Sequence, residues 1–222
     1  MEAAVGELEF VSMTLYSYIV KHDTGFAPNP FFGYCTLACC KARIRRKAKK
    51  GDWIVGLTPT AKGNKIVYFM EVNETLGFDE YWRDQRFKEK RPTFGAGIAA
   101  KCGDNIYQPS TAHSLGYRQL PSTHSKPKFT KHEDPERKED DLSGKQVLVS
   151  SNFAYFGLKA LTLPPELNAL KIGIGHRSRS LDSVQTEFRH FVSKQRKFGV
   201  CGTPRHWPNG DGSWKSAGCG KP

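Results

Sequence analysis

The order of apolar and polar positions divides the chain into short elements. "MTLYSYIV" at 13–20 sets aromatic and β-branched residues among small ones, which predicts a strand. "WIVGLT" from Trp53 and "NKIVYFMEVNETL" at 64–76 predict a second and a third, entered through turns at Gly51-Asp52 and Gly63-Asn64. "QVLVSSNFAYFGLKALTLP" at 146–164 predicts two short strands broken near Ser150 and Ser151. Helical spacing appears in three places. "LACCKARIRRKAKK" at 37–50 favours helix in its basic part, and Phe78, Tyr81, Trp82 and Phe87 recur at helical intervals as far as Pro92. Val184, Phe188, Phe191 and Val192 mark one face of a helix in 183–199, stopped by Gly199.

The joining segments differ in character. "HDTGFAPNPFFG" at 22–33 holds Gly25, Pro28, Pro30 and Gly33, which excludes helix and predicts a loop of fixed shape. Residues 126–141 carry five cations and six acids, so 122–141 is expected as an exposed, mobile insertion. "GAG" at 95–97 shows no helix start behind it. The expected organisation is a flexible leader at 1–12, a single domain at 13–200 and a Gly/Pro-rich tail at 201–222. Helices set between strands at short spacing give an α+β fold, a small curved sheet or open β-barrel with flanking helices.

Charge narrows the class of partner. The 222 residues include 34 Lys plus Arg against 22 Asp plus Glu, a net charge of +12, which argues for a polyanion, nucleic acid first. No apolar run reaches membrane-spanning length, and acids stand in "MEAAVGELEF" where a secretory signal carries cations, so a soluble cytoplasmic protein without a membrane partner is expected. Cys35, Cys39, Cys40, Cys102, Cys201 and Cys219 read as thiols; without paired C-x-x-C spacing no metal is expected, and no cofactor motif is present. Phosphate-loop, nucleophile-elbow and dinucleotide glycine patterns are absent from the sequence.

Two groups of residues carry candidate chemistry. Lys41, Arg43, Arg45, Arg46, Lys47, Lys49 and Lys50 form a one-signed run, which His176, Arg177 and Arg179 could extend as a backbone-binding surface; the plain alternative is a solvated helix face. In the loop, Asp23, Thr24 and Asn29 offer hydrogen bonds to a base edge and Phe26 a stacking face. Ser151, Asn152 and Tyr155 could face it, and Asp104, Asn105 and Tyr107 in "GDNIY" could close over a pocket. Each has a plain reading too: Phe26 as a core plug, Asp23 as a turn cap, "GDNIY" as an Asx-turn. Asp23 and Asp104, with Asn29, are the only acid-base set the sequence nominates for an enzyme.

"DTGFAPNPFFG", "LACCK", "IRRKAKKGDWIVG", "FDEYWRD", "GDNIY" and "SSNFAYFG", in order across 14–200, resemble the nucleotide modification associated domain 2 family, found mainly in bacteria and their viruses. Gly-Asp before a strand, beside a basic helix, also resembles the wider PUA-like group with its ASCH and EVE domains. That second resemblance implies a compact β-barrel binding RNA or DNA, often around a modified base. The expectation is a nucleic-acid-binding module that recognises a modified or flipped base in a DNA base-modification or phage-defence system, alongside a modification or restriction enzyme. The alternatives are an enzyme acting on a nucleotide or base in the same pathway, and an interaction domain for an acidic protein.

Overall fold

In chain order, the computed structural model has strands β1 (Leu15–Ile19) and β2 (Cys35–Leu37), helix α1 (Ala42–Lys47), strands β3 (Trp53–Leu57), β4 (Ile66–Glu71) and β5 (Glu74–Leu76), and helices α2 (Phe78–Arg83) and α3 (Ile98–Lys101). Then come β6 (Tyr107–Pro109), β7 (Tyr117–Gln119), α4 (Pro135–Ser143), β8 (Val147–Ser150), β9 (Phe153–Tyr155), β10 (His176–Arg179), α5 (Asp182–Ser193) and β11 (Gly199–Val200). The structure describes residues 13–173, 175–179 and 182–207; the leader expected at 1–12 and the tail beyond 207, with Cys219, lie outside them.

The main sheet runs β10-β1-β3-β4-β9-β11, with β2-β8-β5 and β6-β7 as smaller sheets. These sheets are open, and the described strands form no closed barrel. The fold is mixed α+β. β1 and β3 pair in parallel, from Leu15↔Trp53 to Ile19↔Leu57. Parallel neighbours need a long crossover, and here it consists of the 22–33 loop, β2 and α1. The basic helix is therefore placed by the pairing of two apolar strands.

Both faces of the main sheet are covered. Leu15, Trp53, Val55, Leu57 and Phe69 pack on one side with Phe188 of α5, while Tyr16, Tyr18, Ile54, Tyr68 and Tyr155 pack on the other. Fully buried side chains of this kind contribute about 1.5–3 kcal/mol each. Phe153 and Tyr155 share one face and Phe156 takes the other, as strand alternation requires. A third cluster, including Phe26, Cys39, Tyr81, Phe87, Ile106, Tyr107 and Val149, backs the loop.

Several predicted elements have other limits. The run 64–76 is two strands in different sheets, because the Asn73 Oδ1 accepts from the amides of Ser151 and Asn152 and fixes a corner there. The helix expected over 78–92 stops at Arg83; Asp84 is extended and its carboxylate caps a 3₁₀ segment at Gln85–Lys90. β2 was not foreseen, and α3 does follow Gly97. Within 122–141, Ser122, His124, Lys138 and Asp141 are buried and α4 begins at Pro135, so the exposure expected there does not hold for these residues. Among the described residues no helix is long and apolar enough to cross a membrane.

Candidate functional site

The two basic segments lie within electrostatic reach of each other. Arg43, Arg46 and Lys47 on α1, with Lys49 and Lys50 after it, are exposed, and Arg177 on β10 is exposed as well. Burial, and then Arg43, Lys41 and Lys47, hold the His176 imidazole below its ordinary value, so the cations of the α1 segment bear on β10 electrostatically. The half-buried Lys41 ammonium lies 4.7 Å from the centre of the Tyr18 ring. Arg179 pairs with Leu15 in the β10-β1 ladder. Among the described residues no carboxylate lies within ion-pair distance of Arg43, Arg46, Lys47, Lys49 or Lys50.

Arg45 differs from its neighbours. It is 0% exposed and donates to the carbonyls of Cys40 at 2.7 Å, Gln146 at 2.8 Å and Asp141. A Cβ at position 144 would sit 2.5 Å from its guanidinium carbon, so Gly144 makes room for it. Arg45 joins α1 to α4 and is not part of the exposed set.

The proposed base-reading groups are mostly bonded within the protein. Asn29 is buried, gives its amide to the Cys102 carbonyl at 2.9 Å and takes Lys90 Nζ on Oδ1 at 2.7 Å. The buried Lys90 also donates to the carbonyls of Asn29 and Tyr34, and burial pushes its pKa down to about 8 against the pull of Asp104. Asp104 accepts from Thr36 and Tyr81, each at 2.7 Å, and burial raises its carboxyl. Asn105 donates to the carbonyls of Tyr81 and Phe87. Asp23, also raised by burial, accepts from the Tyr155 hydroxyl and the Arg205 amide. The two carboxylates thus belong to separate networks and form no acid-base pair.

Other groups in this set are also fixed from within. Trp207 Nε1 donates to the half-buried Thr24's carbonyl at 2.7 Å. The exposed Ser151 and the half-buried Asn152 serve the Asn73 corner, and Asn152 also donates to Glu71 at 2.8 Å. Phe26 is core, its ring 4.8 Å from that of His124.

That histidine belongs to a cluster the sequence did not reveal. His124 Nδ1 meets Asp141 Oδ2 at 2.6 Å, and Nε2 meets the half-buried Cys40 Sγ at 3.4 Å. Asp141 also accepts from the Tyr107 hydroxyl at 2.7 Å and the Cys40 amide at 2.5 Å. Burial works against ionising His124, but the hydrogen bonds and charges of Asp141 and Cys40 outweigh it and push the imidazole up to about 9. Burial likewise opposes the Asp141 carboxylate, yet His124 and Arg45 bring it below its ordinary value. Cys40 and Lys41 both adopt left-handed backbone, φ 58° and 49°, uncommon for residues with a side chain. Thiol, imidazole and carboxylate in this order are the parts of an activated nucleophile.

Cys39 Sγ, a ring nitrogen of His124 and an Asp141 oxygen lie within 4.8 Å of one another, which makes them the donor group nearest to a metal site among the described residues. The 2.6 Å contact of Nδ1 with Oδ2 is a hydrogen bond; two zinc ligands at tetrahedral geometry would stand about 3.3 Å apart. Burial also raises the Cys39 thiol well above its ordinary value. The arrangement fits a carboxylate orienting an imidazole better than an ion held between them.

Cys40 and His124 are 84 residues apart, and His124 and Asp141 are 17 apart. No local spacing could announce such a set; the available signal was a cysteine directly before a basic helix. The model of the family described as nucleotide modification associated domain 2 matches residues 12–211. No curated protein and no solved structure matches the chain.

Proposed function

Because the chain belongs to the nucleotide modification associated domain 2 family, we propose that it is a cytoplasmic nucleic-acid-binding component of a nucleotide-modification system, with DNA as its first target. The observation that carries this reading is the face of Lys41, Arg43, Arg46, Lys47, Lys49, Lys50, His176 and Arg177, whose exposed cations have no acidic partners among the described residues. Unpaired cations on one face repel each other, and a phosphate backbone relieves that repulsion while releasing counterions.

Recognition of a modified or flipped base, and kinship with the PUA-like group, remain parts of this proposal. Support for base recognition is thinner, since the side chains of Asn29, Asp104, Asn105, Tyr107 and Tyr155 each hydrogen-bond within the protein. A partner modification or restriction enzyme fits the family setting. Catalysis by Asp23, Asn29 and Asp104 loses its footing with their separation into two networks; a catalytic reading now rests on other residues.

The test is binding of single- and double-stranded DNA and RNA, with and without modified bases, at several salt concentrations. Arg43→Glu with Lys47→Glu is expected to weaken binding and to flatten the salt dependence by about two units of slope. Unchanged affinity and slope would return these residues to a solvated face. A preference for modified strands would retain base recognition; equal affinity for all strands would remove it.

A further inference from the structure

We propose that Cys40 is a nucleophile that takes an acyl group from an ester or acyl phosphate on a phosphate-bearing carrier, with His124 as its proton acceptor and Asp141 as the residue that positions the imidazole. The geometry at the sulfur and its exposure lead there. His124 presents Nε2 to the sulfur at 3.4 Å while Nδ1 is fixed by the carboxylate at 2.6 Å, so tautomer and ring orientation are set before any substrate arrives. Cys40 is half-buried, whereas Cys35 and Cys39 are fully buried and their thiols are raised by that burial. Reactive cysteines sit in accessible, electropositive surroundings, and buried ones are inert.

The groups facing His124 are few. Asp141 approaches from α4, Cys40 from the turn before α1, the buried Cys39 sulfur to within 4.8 Å from the residue before Cys40, and the uncharged Phe26 ring from the loop. Around Cys40 the next residue is Lys41, whose ammonium feels both the thiol and Asp140, and Lys41 leads directly to Arg43, Lys47 and His176. A nucleophile at the rim of a cationic face suits an anionic acyl donor. That choice of carrier rests on the proposed role of the basic face; the assignment of the nucleophile does not.

The step balances without any redox partner. With the proton between Cys40 and His124 held on Nε2, sulfur attacks the acyl carbon, an S–C bond forms and the C–O bond to the carrier breaks. His124 gives the proton to the leaving oxygen, or releases it to solvent when the leaving group departs as a phosphate anion, and is neutral before the second half of the reaction. Water then attacks the thioester and loses a proton through His124, the S–C bond breaks, and the acid and the free sulfur are regenerated. Asp141 touches no reacting atom and acts through the imidazole.

Two probes test this on the full chain, 4-nitrophenyl acetate as a neutral acyl donor and acetyl adenylate as an anionic one. Release of one nitrophenolate per chain is expected, with the acetyl group mapped by mass spectrometry to Cys40. Cys40→Ser is expected to abolish the label and Cys201→Ser to keep it. His124→Gln is expected to slow acylation by about 100-fold while near-ultraviolet circular dichroism stays native.

A second readout on the unaltered chain, iodoacetamide alkylation at pH 6.5, stands whether or not that variant folds. Cys40 is expected to react at least about tenfold faster than Cys201, because the His124 imidazole stands 3.4 Å from its sulfur and can hold the proton that the attacking sulfur gives up. Alkylation of Cys40 no faster than of Cys201, acylation spread over other residues, or one zinc bound per native chain would each overturn the nucleophile. Acetyl adenylate reacting no faster than the neutral ester, with Arg43→Glu and Lys47→Glu without effect on its rate, would overturn the anionic carrier. Loss of nucleic-acid binding in that double variant with nitrophenyl acetate acylation intact separates a failure of either proposal from the other.

Discussion

Around Lys90 and around His124 the chain assembles the same kinds of group. Each cluster has a buried carboxylate, Asp104 or Asp141; a tyrosine hydroxyl donating to it at 2.7 Å, Tyr81 or Tyr107; a basic nitrogen; and a cysteine close by. Their charge states diverge. Burial raises Asp104 and pushes Lys90 down to about 8, both toward the neutral forms. Asp141 falls and His124 rises to about 9, both toward the charged forms. Lys90 gives its hydrogens to Asn29 and the Tyr34 carbonyl and leaves Asp104 to hydroxyl donors, whereas His124 bonds its carboxylate directly and Arg45 stands 4.0 Å away. An ion pair in direct contact offsets desolvation that one at a remove does not. The first cluster is a closed plug behind the loop. The second ends on a half-buried sulfur, where its charge can act on something outside.

The largest expected difference lies in the carboxylates. Asp141→Ala removes the partner of His124, the Tyr107 hydroxyl and the Cys40 amide at once and leaves Arg45 buried without its counter-charge. Removing one member of a buried ionic network costs about 3–5 kcal/mol, which urea unfolding would read as a large drop in midpoint. Asp104→Ala is expected to cost less, because its cluster already leans toward neutrality. Equal losses, or a larger one at Asp104, would dissolve the distinction between the two sites.

How much of this could be read from the chain depends on the range of each interaction. β1 and β3 follow from the local pattern of strand-forming apolar residues and α5 from helical spacing of apolar residues, and these were legible in 13–20, Trp53 onward and 183–199. The break at Asn73 and the stop at Asp84 depend on single polar side chains bonding backbone, and periodicity carries no sign of them. Asn29 shows the limit on the site. A polar residue between two prolines suggests a group waiting for a ligand, yet its partners Cys102 and Lys90 lie 73 and 61 residues away. Arg45 sits within a run of cations that sequence cannot tell apart, and only the approach of α4 and Gly144 reveals it as core. His124 and Asp141 were hidden by their setting in 122–141, where high charge reads as exposure.

Opposite charge states give opposite pH dependence. His124 is held at about 9 in the fold against 6.5 for the free side chain, so between those values the folded chain keeps a proton that the unfolded chain has lost. Its contribution is complete below pH 6.5 and vanishes as pH rises through 9, a loss of about 1–3 kcal/mol. Lys90 acts in reverse: with its folded value near 8, below the 10.5 of the free side chain, stability rises as pH climbs between the two. Urea midpoints from pH 6 to 10 for the native chain and for His124→Gln separate these effects, since Lys90 contributes equally to both. The difference between the two proteins should shrink steadily from pH 6.5 to 9. Parallel curves would mean that the His124–Asp141 pair carries no linked proton.

The smallest effect belongs to the two tyrosines and is the sharpest comparison of the clusters. Tyr107→Phe and Tyr81→Phe each delete a 2.7 Å hydrogen bond to a buried carboxylate and leave the ring in place, at an expected cost of about 0.5–1.5 kcal/mol apiece. By stability alone the two variants should look alike. They should part at His124, because the Tyr107 hydroxyl and the imidazole share one oxygen of Asp141. With the hydroxyl gone, that oxygen holds more negative charge for the ring, and the imidazole should move further up by under about one unit. Tyr81 bonds only to Asp104 and Thr36, so its removal should leave the His124 titration where it was. Histidine ring resonances followed by NMR across pH 6 to 10 measure both variants. An equal shift in both, or none in Tyr107→Phe, would show that the charge on Asp141 does not set the state of the imidazole beside Cys40.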